Sequence, residues 1–146
     1  MENLWIFVAL LAVHWFGDFA LQTHWQASNK SKRWDALAQH VITYTTAIGL
    51  AAPILFPGPF LHEPWRLVLF VGGNGILHFA TDYVTSRISS KLFMGQFETL
   101  ELYPLNRVAM KQPFNPHNFF VMIGFDQLIH HITLAATMTW LLSNGR

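Results

Sequence analysis

Long apolar stretches separated by short polar connections are the dominant pattern of this chain. Four of them are long enough to cross the roughly 30 Å hydrocarbon core of a bilayer, which takes about 20 helical residues. They run approximately over residues 3–22, 36–56, 67–86 and 118–142. The connections SNKSKRWD and FPGPFLHEP carry charges or helix-ending prolines. We therefore predict an all-α fold: a single domain, residues 1–146, built as an integral membrane bundle of four transmembrane helices.

Composition supports a membrane protein and excludes other classes. Of the 146 residues, 52% are hydrophobic and only 12% are charged, about half the charged fraction of a typical soluble domain. With a net charge of +1 and no basic face, no nucleic-acid binding is expected. The absence of cysteine excludes disulfides and thiolate metal sites. The start MENLWIF is acidic where a secretory signal is positive, so the first apolar segment is expected to be retained.

Lysine and arginine residues are concentrated in two of the three connections. The first contains Lys30, Lys32 and Arg33, and the third contains Arg87, Lys91, Arg107 and Lys111. Cytoplasmic connections of membrane proteins carry this excess of positive charge. We therefore predict a multi-pass topology with both termini outside and a long cytoplasmic connection between the third and fourth helices.

The ionisable side chains within the predicted spans are of two kinds only, histidine and aspartate. They are His14, Asp18, His40, His78, Asp82, Asp126, His130 and His131. An ionised aspartate at mid-membrane costs about 2.5–3.5 kcal/mol on insertion scales, so these groups need pairing, hydration or a metal. Histidine and aspartate are also preferred ligands of divalent metals that accept nitrogen and oxygen. The pattern therefore indicates a polar site inside the bundle.

Spacing brings these residues together. The segments HWFGD, HFATD and DQLIH each place a histidine and an aspartate four residues apart, on one helix face. Helices that run alternately up and down bring all of them to the cytoplasmic half of the bundle. The predicted metal ligands are His14, Asp18, His40, His78, Asp82, Asp126 and His130. They exceed the ligands of one zinc ion, so a dinuclear centre is a hypothesis, with zinc as first choice and manganese or iron open.

Other residues near the spans receive simpler interpretations. His131 is turned about 100° from His130 on a helix, so it is expected to support the site or lie at its edge. Three glycines of the third span, Gly72, Gly73 and Gly75, are expected to permit close helix contact. The surface histidines are predicted to be His24, His62 and His117.

The order of these motifs resembles a known family. HWFGDFALQTHWQASNK, a His–Tyr pair in span two, HFATDYVTSR and FDQLIHH are similar to a bacterial inner-membrane family known only as a domain of unknown function. The resemblance covers nearly the whole chain and implies a bacterial inner-membrane location, but no reaction. Its recurring positions match His14, Asp18, Gln22, Lys30, His40, His78, Asp82, Asp126, Gln127 and His130. The family often has a lysine three residues after the third-span aspartate, where this chain has Thr85.

The leading functional hypothesis is an integral membrane metal-dependent hydrolase that acts on a phosphoester. The motifs resemble those of zinc-dependent phospholipases, and membrane-bound metal-dependent hydrolases are similar in placing His/Asp motifs within apolar helices. Such metals polarise a phosphoryl oxygen and lower the pKa of bound water toward neutrality. The predicted catalytic residues are His40 and Asp82, and the predicted substrate-binding residues are Gln22, Lys30, Arg87 and Gln127. The substrate would be a phospholipid or a phosphorylated small molecule, held beside the lipid bilayer.

Two other functions stay open. Paired HxxxD helices also resemble the transport site of zinc-exporting carriers, and a divalent metal-ion transporter with only four spans would need to form a homodimer. The outer halves of the spans, such as LWIFVALL and IGLAAPILF, contain few polar residues, which favours a closed, enzyme-like site. The third alternative is a metal-binding membrane protein without catalysis, whose site only holds the bundle together.

Overall fold

A computed structural model describes residues 2–93 and 116–143, and every regular element in these ranges is a helix. The first helix continues into a π-helical segment, and the short helices α2 and α4 lie within the connections. The elements are α1 (Glu2–Trp15), the π segment (Phe16–Ala20), α2 (His24–Asn29), α3 (Trp34–Leu55), α4 (Pro57–His62), α5 (Pro64–Phe93) and α6 (Pro116–Ser143). The prediction of an all-α fold is confirmed for the described residues.

Within residues 2–93 and 116–143, three segments are long and apolar enough to cross a membrane, namely Asn3–Ala20, Pro64–Phe93 and Pro116–Ser143. They correspond to the first, third and fourth predicted spans. The second is present as the 22-residue helix α3, but polar residues in its first half, including Gln39 and His40, lower its mean hydropathy. The count of four spans therefore stays a prediction. So does the long cytoplasmic connection, since residues 94–115 lie outside the described ranges.

Prolines and a helix cap set the boundaries of the connecting helices. Pro57 and Pro64 begin α4 and α5, where a missing backbone N–H costs nothing. Thr23 and Gln26 form a capping box at the start of α2: the Thr23 side chain accepts from the Gln26 N–H, and the Gln26 side chain accepts from the Thr23 N–H. This cap creates a helix in a segment for which only a polar connection was predicted, and Lys30 follows directly after it.

Apolar side chains fill the end of the bundle that lies near α4. Residues from α1, α3 and α6 are completely buried there: Leu10, Ile48, Ala52, Leu134 and Leu141 are 0% exposed. Phe56 and Phe70 pack edge to face in the same cluster, with ring centroids 5.4 Å apart. We call this region, which contains these seven residues, the apolar end. Its packing holds the long helices together.

Two glycines allow close approach between helices. A Cβ atom added to Gly75 would lie 2.6 Å from Oγ1 of Thr45 on α3, so α3 and α5 can meet there only at a glycine. Gly17, which the sequence analysis did not single out, would bring a Cβ atom within 3.3 Å of Tyr44. At Gly72 and Gly73 the predicted close contact is not present among the described residues, since no atom lies within 4 Å of a Cβ built at either glycine.

Candidate metal centre

A cluster of buried histidines and aspartates lies at the end of the bundle opposite α4. Four helical segments contribute to it: the end of α1 with the π segment, the first half of α3, the second half of α5 and the first half of α6. We call these seven residues the His/Asp cluster: His14, Asp18, His40, His78, Asp82, Asp126 and His130. All except the half-buried Asp126 are at most 3% exposed. The structure thus gathers the seven predicted ligands in one place, and their binding of a metal stays a prediction.

The π segment positions Asp18 within this cluster. The backbone N–H of Leu21 donates to the carbonyl oxygen of Phe16 at 2.9 Å, five residues back, which widens the helix by one residue. The buried Gly17 lets this widened turn press against α3. As a result the Asp18 carboxylate reaches Nε2 of His40 at 3.0 Å, whereas it lies 3.9 Å from Nε2 of His14. The four-residue spacing of HWFGD predicts the pairing of Asp18 with His14, but it does not predict the closer contact of Asp18 with His40 on α3.

Four ligand atoms in the cluster have the spacing of a tetrahedral metal site. They are Oδ1 of Asp18, Nε2 of His40, Nε2 of His78 and Oδ2 of Asp82. From Nε2 of His40 the other three lie at 3.0, 3.1 and 3.1 Å, and Nε2 of His78 lies 3.5 and 3.7 Å from the two carboxylate oxygens. A tetrahedral ion with bonds of about 2.0–2.1 Å holds its ligand atoms about 3.3 Å apart. These four side chains could therefore hold a metal ion.

The same atoms are poorly satisfied by hydrogen bonding alone. A neutral imidazole has one N–H, so Nε2 of His40 can donate to only one of the three acceptors that surround it. Nδ1 of His78 is buried with no hydrogen-bond partner among the described residues. Lys30 satisfies one of the acceptors, Oδ2 of Asp82, and a cation bound among the four atoms would satisfy the others together.

A second group of potential ligands adjoins the first. Asp18, Asp126 and His130 each offer a ligand atom within 4.8 Å of the others. Nε2 of His130 lies 3.6 Å from Oδ1 of Asp126 and 3.3 Å from Oδ1 of Asp82. Asp18 belongs to both groups, and Asp82 directs one oxygen to each. Shared carboxylates of this kind are how helical bundles hold two metal ions side by side.

His14 is the predicted ligand that lies outside both groups. Its Nε2 atom donates to Oε1 of Gln127 at 3.1 Å. The amide nitrogen of Gln127 then donates to Asp18 at 2.8 Å and to Asp126 at 3.2 Å. His14 therefore orients the amide that joins these two carboxylates. The substrate-binding role predicted for Gln127 stays a prediction, and its contacts show a structural role in the cluster.

Lys30, predicted to bind substrate, enters the cluster, and its substrate-binding role stays a prediction. Its Nζ atom donates to Oδ2 of Asp82 at 2.8 Å and lies 3.4 Å from Nε2 of His40. Burial disfavours the ammonium, but the neighbouring carboxylates of Asp82 and Asp18 more than offset this and raise the pKa of Lys30 above its usual value. Lys30 is therefore charged, and it neutralises part of the buried negative charge.

Gln22 controls which nitrogen of His40 carries the proton. The Gln22 amide nitrogen donates to the backbone carbonyl of Asp18 at 3.0 Å and lies 3.1 Å from Nδ1 of His40. In this orientation Nδ1 accepts, so Nε2 of a neutral His40 carries the proton. Metal binding at Nε2 requires the other tautomer, with an acceptor facing Nδ1. Gln22, predicted to bind substrate, thus positions His40 directly.

The remaining predicted residues fall beside the cluster or away from it. Arg87 donates to the Tyr83 carbonyl at 2.9 Å, and its guanidinium lies 3.7 Å from the centre of the Tyr83 ring. Its substrate-binding role stays a prediction. Thr85, where the family often has lysine, donates to Oδ1 of Asp126 at 2.5 Å. The ring of the half-buried His131 lies 5.3 Å from that of His14. The three predicted surface histidines, His24, His62 and His117, are exposed.

A cavity of about 350 Å³ opens beside the cluster. Two lysines, Lys30 and Lys32, and three carboxylates, those of Asp18, Asp82 and Asp126, line it. With neutral histidines, these five groups carry a formal charge of −1. Two divalent cations would change this charge to +3. The metal-loaded site would therefore attract an anion, which the bare cluster would repel.

The chain belongs to the family described as "Protein of unknown function (DUF3307)", whose family model matches residues 6–145. This match confirms the resemblance to a family of unknown function over nearly the whole chain. No curated protein and no solved structure matches the chain. The family description names no reaction, so the geometry of the cluster has to carry the functional argument.

Proposed function

We propose that this chain is an integral membrane metal-dependent hydrolase that cleaves phosphoesters at a dinuclear His/Asp centre. The observation that carries the proposal is the tetrahedral spacing of one nitrogen or oxygen from each of Asp18, His40, His78 and Asp82. The adjoining group of Asp126 and His130, which shares Asp18, supplies ligands for a second ion. Four nitrogen and oxygen ligands in a tetrahedron suit zinc best, and manganese or iron would add further ligands.

In this proposal α3 also spans the membrane, as the second helix along the chain, and brings the number of spans to four. Its outward face is apolar, since Ile42, Leu50 and Ile54 are 64%, 72% and 79% exposed, while His40 and Tyr44 are buried on its inward face. A helix that turns its polar residues to the bundle interior can span a bilayer with a lower mean hydropathy. The positive charges of the first and third connections then place the His/Asp cluster toward the cytoplasm, with the termini outside.

Three residues of the chain would have separate roles in the reaction. Bound metal would supply polarisation of the phosphoryl group and a water of lowered pKa. The Lys30 ammonium, fixed by Asp82, would pair with the substrate phosphate. Asp82 would contribute one carboxylate oxygen to each ion site. His40 would act as a ligand or, if Nε2 keeps its proton, as a proton carrier between Asp18 and Asp82.

The packing beyond the cluster favours an enzyme over a metal carrier. The next polar pair toward the apolar end is the buried Asn74 and the half-buried Thr137, which satisfy each other: the Asn74 amide donates to Oγ1 of Thr137 at 2.9 Å. Beyond them Ala52, Phe70 and Leu141 are buried in the apolar cluster. A carrier would need polar groups that continue to the other face of the membrane. The described residues instead support a site that opens at one end.

The test is to purify the full chain in detergent, measure bound metal by elemental analysis, and assay a panel of phosphoesters before and after chelation. We expect about two metal ions per chain and a hydrolysis that chelation abolishes. Asp82→Ala should lose metal and reduce hydrolysis by roughly 100-fold or more. Asp35→Ala is the matched control, because Asp35 is exposed and pairs only with Arg33 and its own helix start.

The possible results separate the functions. A metal-loaded protein that hydrolyses no phosphoester would refute the hydrolase and support a metal-binding protein without catalysis. Metal flux in proteoliposomes, abolished by Asp82→Ala, would support a transporter instead. A preparation that binds no metal under any loading condition would overturn the metal centre itself.

A further inference from the structure

The cavity beside the His/Asp cluster has two unlike walls. The serine wall is formed by the end of α5, where Ser86 and Ser90 continue the four-residue steps of His78 and Asp82 along one helix face. A row of hydroxyl groups therefore leads away from the cluster toward the end of the helix. Ser89 lines the same cavity one residue before Ser90.

One hydroxyl of this wall lacks a partner. The Oγ atom of Ser86 is buried and has no hydrogen bond among the described residues. Buried hydroxyl groups are almost always paired, so this atom offers a hydrogen bond to a polar group that comes within its reach. Ser86 lies one helical turn beyond Asp82, so such a group would sit close to the cluster.

A second set of lining residues is apolar. Met122 and Ile123 from α6 face the cavity, together with Phe19 from the π segment and Phe93 from the end of α5. These residues lie beside a site that carries three carboxylates and an ammonium. A small, fully polar ligand would leave this apolar surface in contact with water. A ligand with a charged head and a hydrocarbon part would match both walls.

We infer that the cavity binds a phosphorylated amphiphile of the bilayer, with its phosphate at the His/Asp cluster and Lys30 and its hydrocarbon against Met122 and Ile123. This inference deepens the proposed function and rests on it for the metal-loaded charge. A change of formal charge from −1 to +3 on binding two divalent ions makes the inner part of the cavity attractive to a phosphate. The volume of about 350 Å³ lies within the range of small-molecule sites, and suits a head group with the first part of one chain.

Binding can be tested without turnover by using phosphonates, whose carbon–phosphorus bond is not hydrolysed as a phosphoester. Dodecylphosphonate and methylphosphonate are titrated into the zinc-loaded full chain in nanodiscs, and zinc content is measured after each titration. We expect the long-chain probe to bind at least about tenfold more tightly, since each buried methylene contributes roughly fourfold in affinity. Part of this advantage would come from partitioning into the bilayer, so variants must separate the two causes.

Ile123→Trp, which fills the cavity, should reduce the long-chain advantage to less than about threefold. Ile132→Trp is the matched control: it makes the same change on the same helix, at a residue that is 59% exposed. Both variants leave partitioning unchanged, so a difference between them reports the cavity. Met122→Gln preserves side-chain volume and should also reduce the advantage, which keeps the test decisive if Ile123→Trp does not fold.

Three results would count against the inference. Equal affinity for the two probes would assign the site to water-soluble phosphates. An advantage that is the same in Ile123→Trp and Ile132→Trp, and survives in Met122→Gln, would be bilayer partitioning alone. Binding that does not require zinc would remove the link to the cluster. If the cavity-dependent preference appears but no phosphoester is hydrolysed, the amphiphile site stands and the hydrolase proposal fails.

Discussion

The two ends of this helical bundle are built from the same long helices but packed by opposite means. At the apolar end, leucines, isoleucines and phenylalanines close the interior completely. At the other end, six buried histidines and aspartates occupy the equivalent positions. Desolvating those groups opposes folding, and the apolar end supplies packing that does not depend on any ligand. The comparison indicates that stability and chemistry are separated along the length of the bundle.

Cations lie at both ends of the bundle, the buried Arg66 and the half-buried Lys30, and their partners differ. Arg66 pairs with Glu63, three residues away, at 2.6 Å and packs over the rings of Trp65 and Trp140. These contacts hold the start of α5 against the end of α6. Lys30 pairs instead with Asp82, which is distant in sequence, and lies among potential metal ligands. Arg66 therefore stabilises the packing of two helices, whereas Lys30 neutralises part of the negative charge of the His/Asp cluster.

The largest effect should come from opening a cavity at the apolar end. Leu141→Ala removes a completely buried side chain eleven residues beyond His130, so we expect a loss of about 2–5 kcal/mol in the free energy of unfolding. Metal content at the other end should be unchanged. Leu128→Ala on the same helix is the control, because Leu128 is exposed and its truncation should cost less than about 0.5 kcal/mol. Denaturant titration and elemental analysis of both variants provide the measurement. A parallel loss of metal in Leu141→Ala would show that the ends are not independent.

A smaller effect should follow from separating α3 and α5 between the two ends. The Cβ atom of Gly75→Ala would lie 2.6 Å from Oγ1 of Thr45, so we expect a loss of about 1–3 kcal/mol. Adding Thr45→Ala should recover most of it, which a double-mutant cycle measures. Gly73→Ala meets no described atom and should be neutral or stabilising by up to about 1 kcal/mol. Additive effects in the cycle would contradict the contact.

The smallest change concerns the proton on His40. Gln22→Glu places an acceptor beside Nδ1, which frees Nε2 for a metal, so we expect zinc affinity to rise roughly tenfold. Gln26→Glu is the control for the added charge. It places the same charge four residues from Gln22, and a glutamate at this position can still form the capping box with Thr23. Competition with a chelator measures both affinities. If the two variants have the same zinc affinity, His40 does not bind metal through Nε2, and the role as a proton carrier is the one that remains for it.

Residue types and helical spacing were sufficient to predict the long helices and the seven members of the His/Asp cluster. Polar residues in an apolar span, such as Asp82, are rare enough that their positions carry information. The same reasoning predicted Lys30 to bind substrate but did not predict its contact with Asp82, because a lysine in a basic connection looks like ordinary positive-inside charge. It also assigned His14 as a ligand on α-helical spacing, whereas the π segment turns Asp18 toward His40. Local widening of a helix leaves no clear signal in the pattern of hydrophobicity.

The sequence by itself determined which chemical groups are buried and on which helix each one lies, because periodicity and the cost of charge in lipid act within a single segment. Only the tertiary structure decided how those groups pair. It placed Lys30 on Asp82, Gln22 on His40 and Thr85 on Asp126. These contacts depend on the close approach of separate helices at Gly17 and Gly75 and on the turn after α2. Distances of a few ångströms between segments are set by packing, which no single segment encodes.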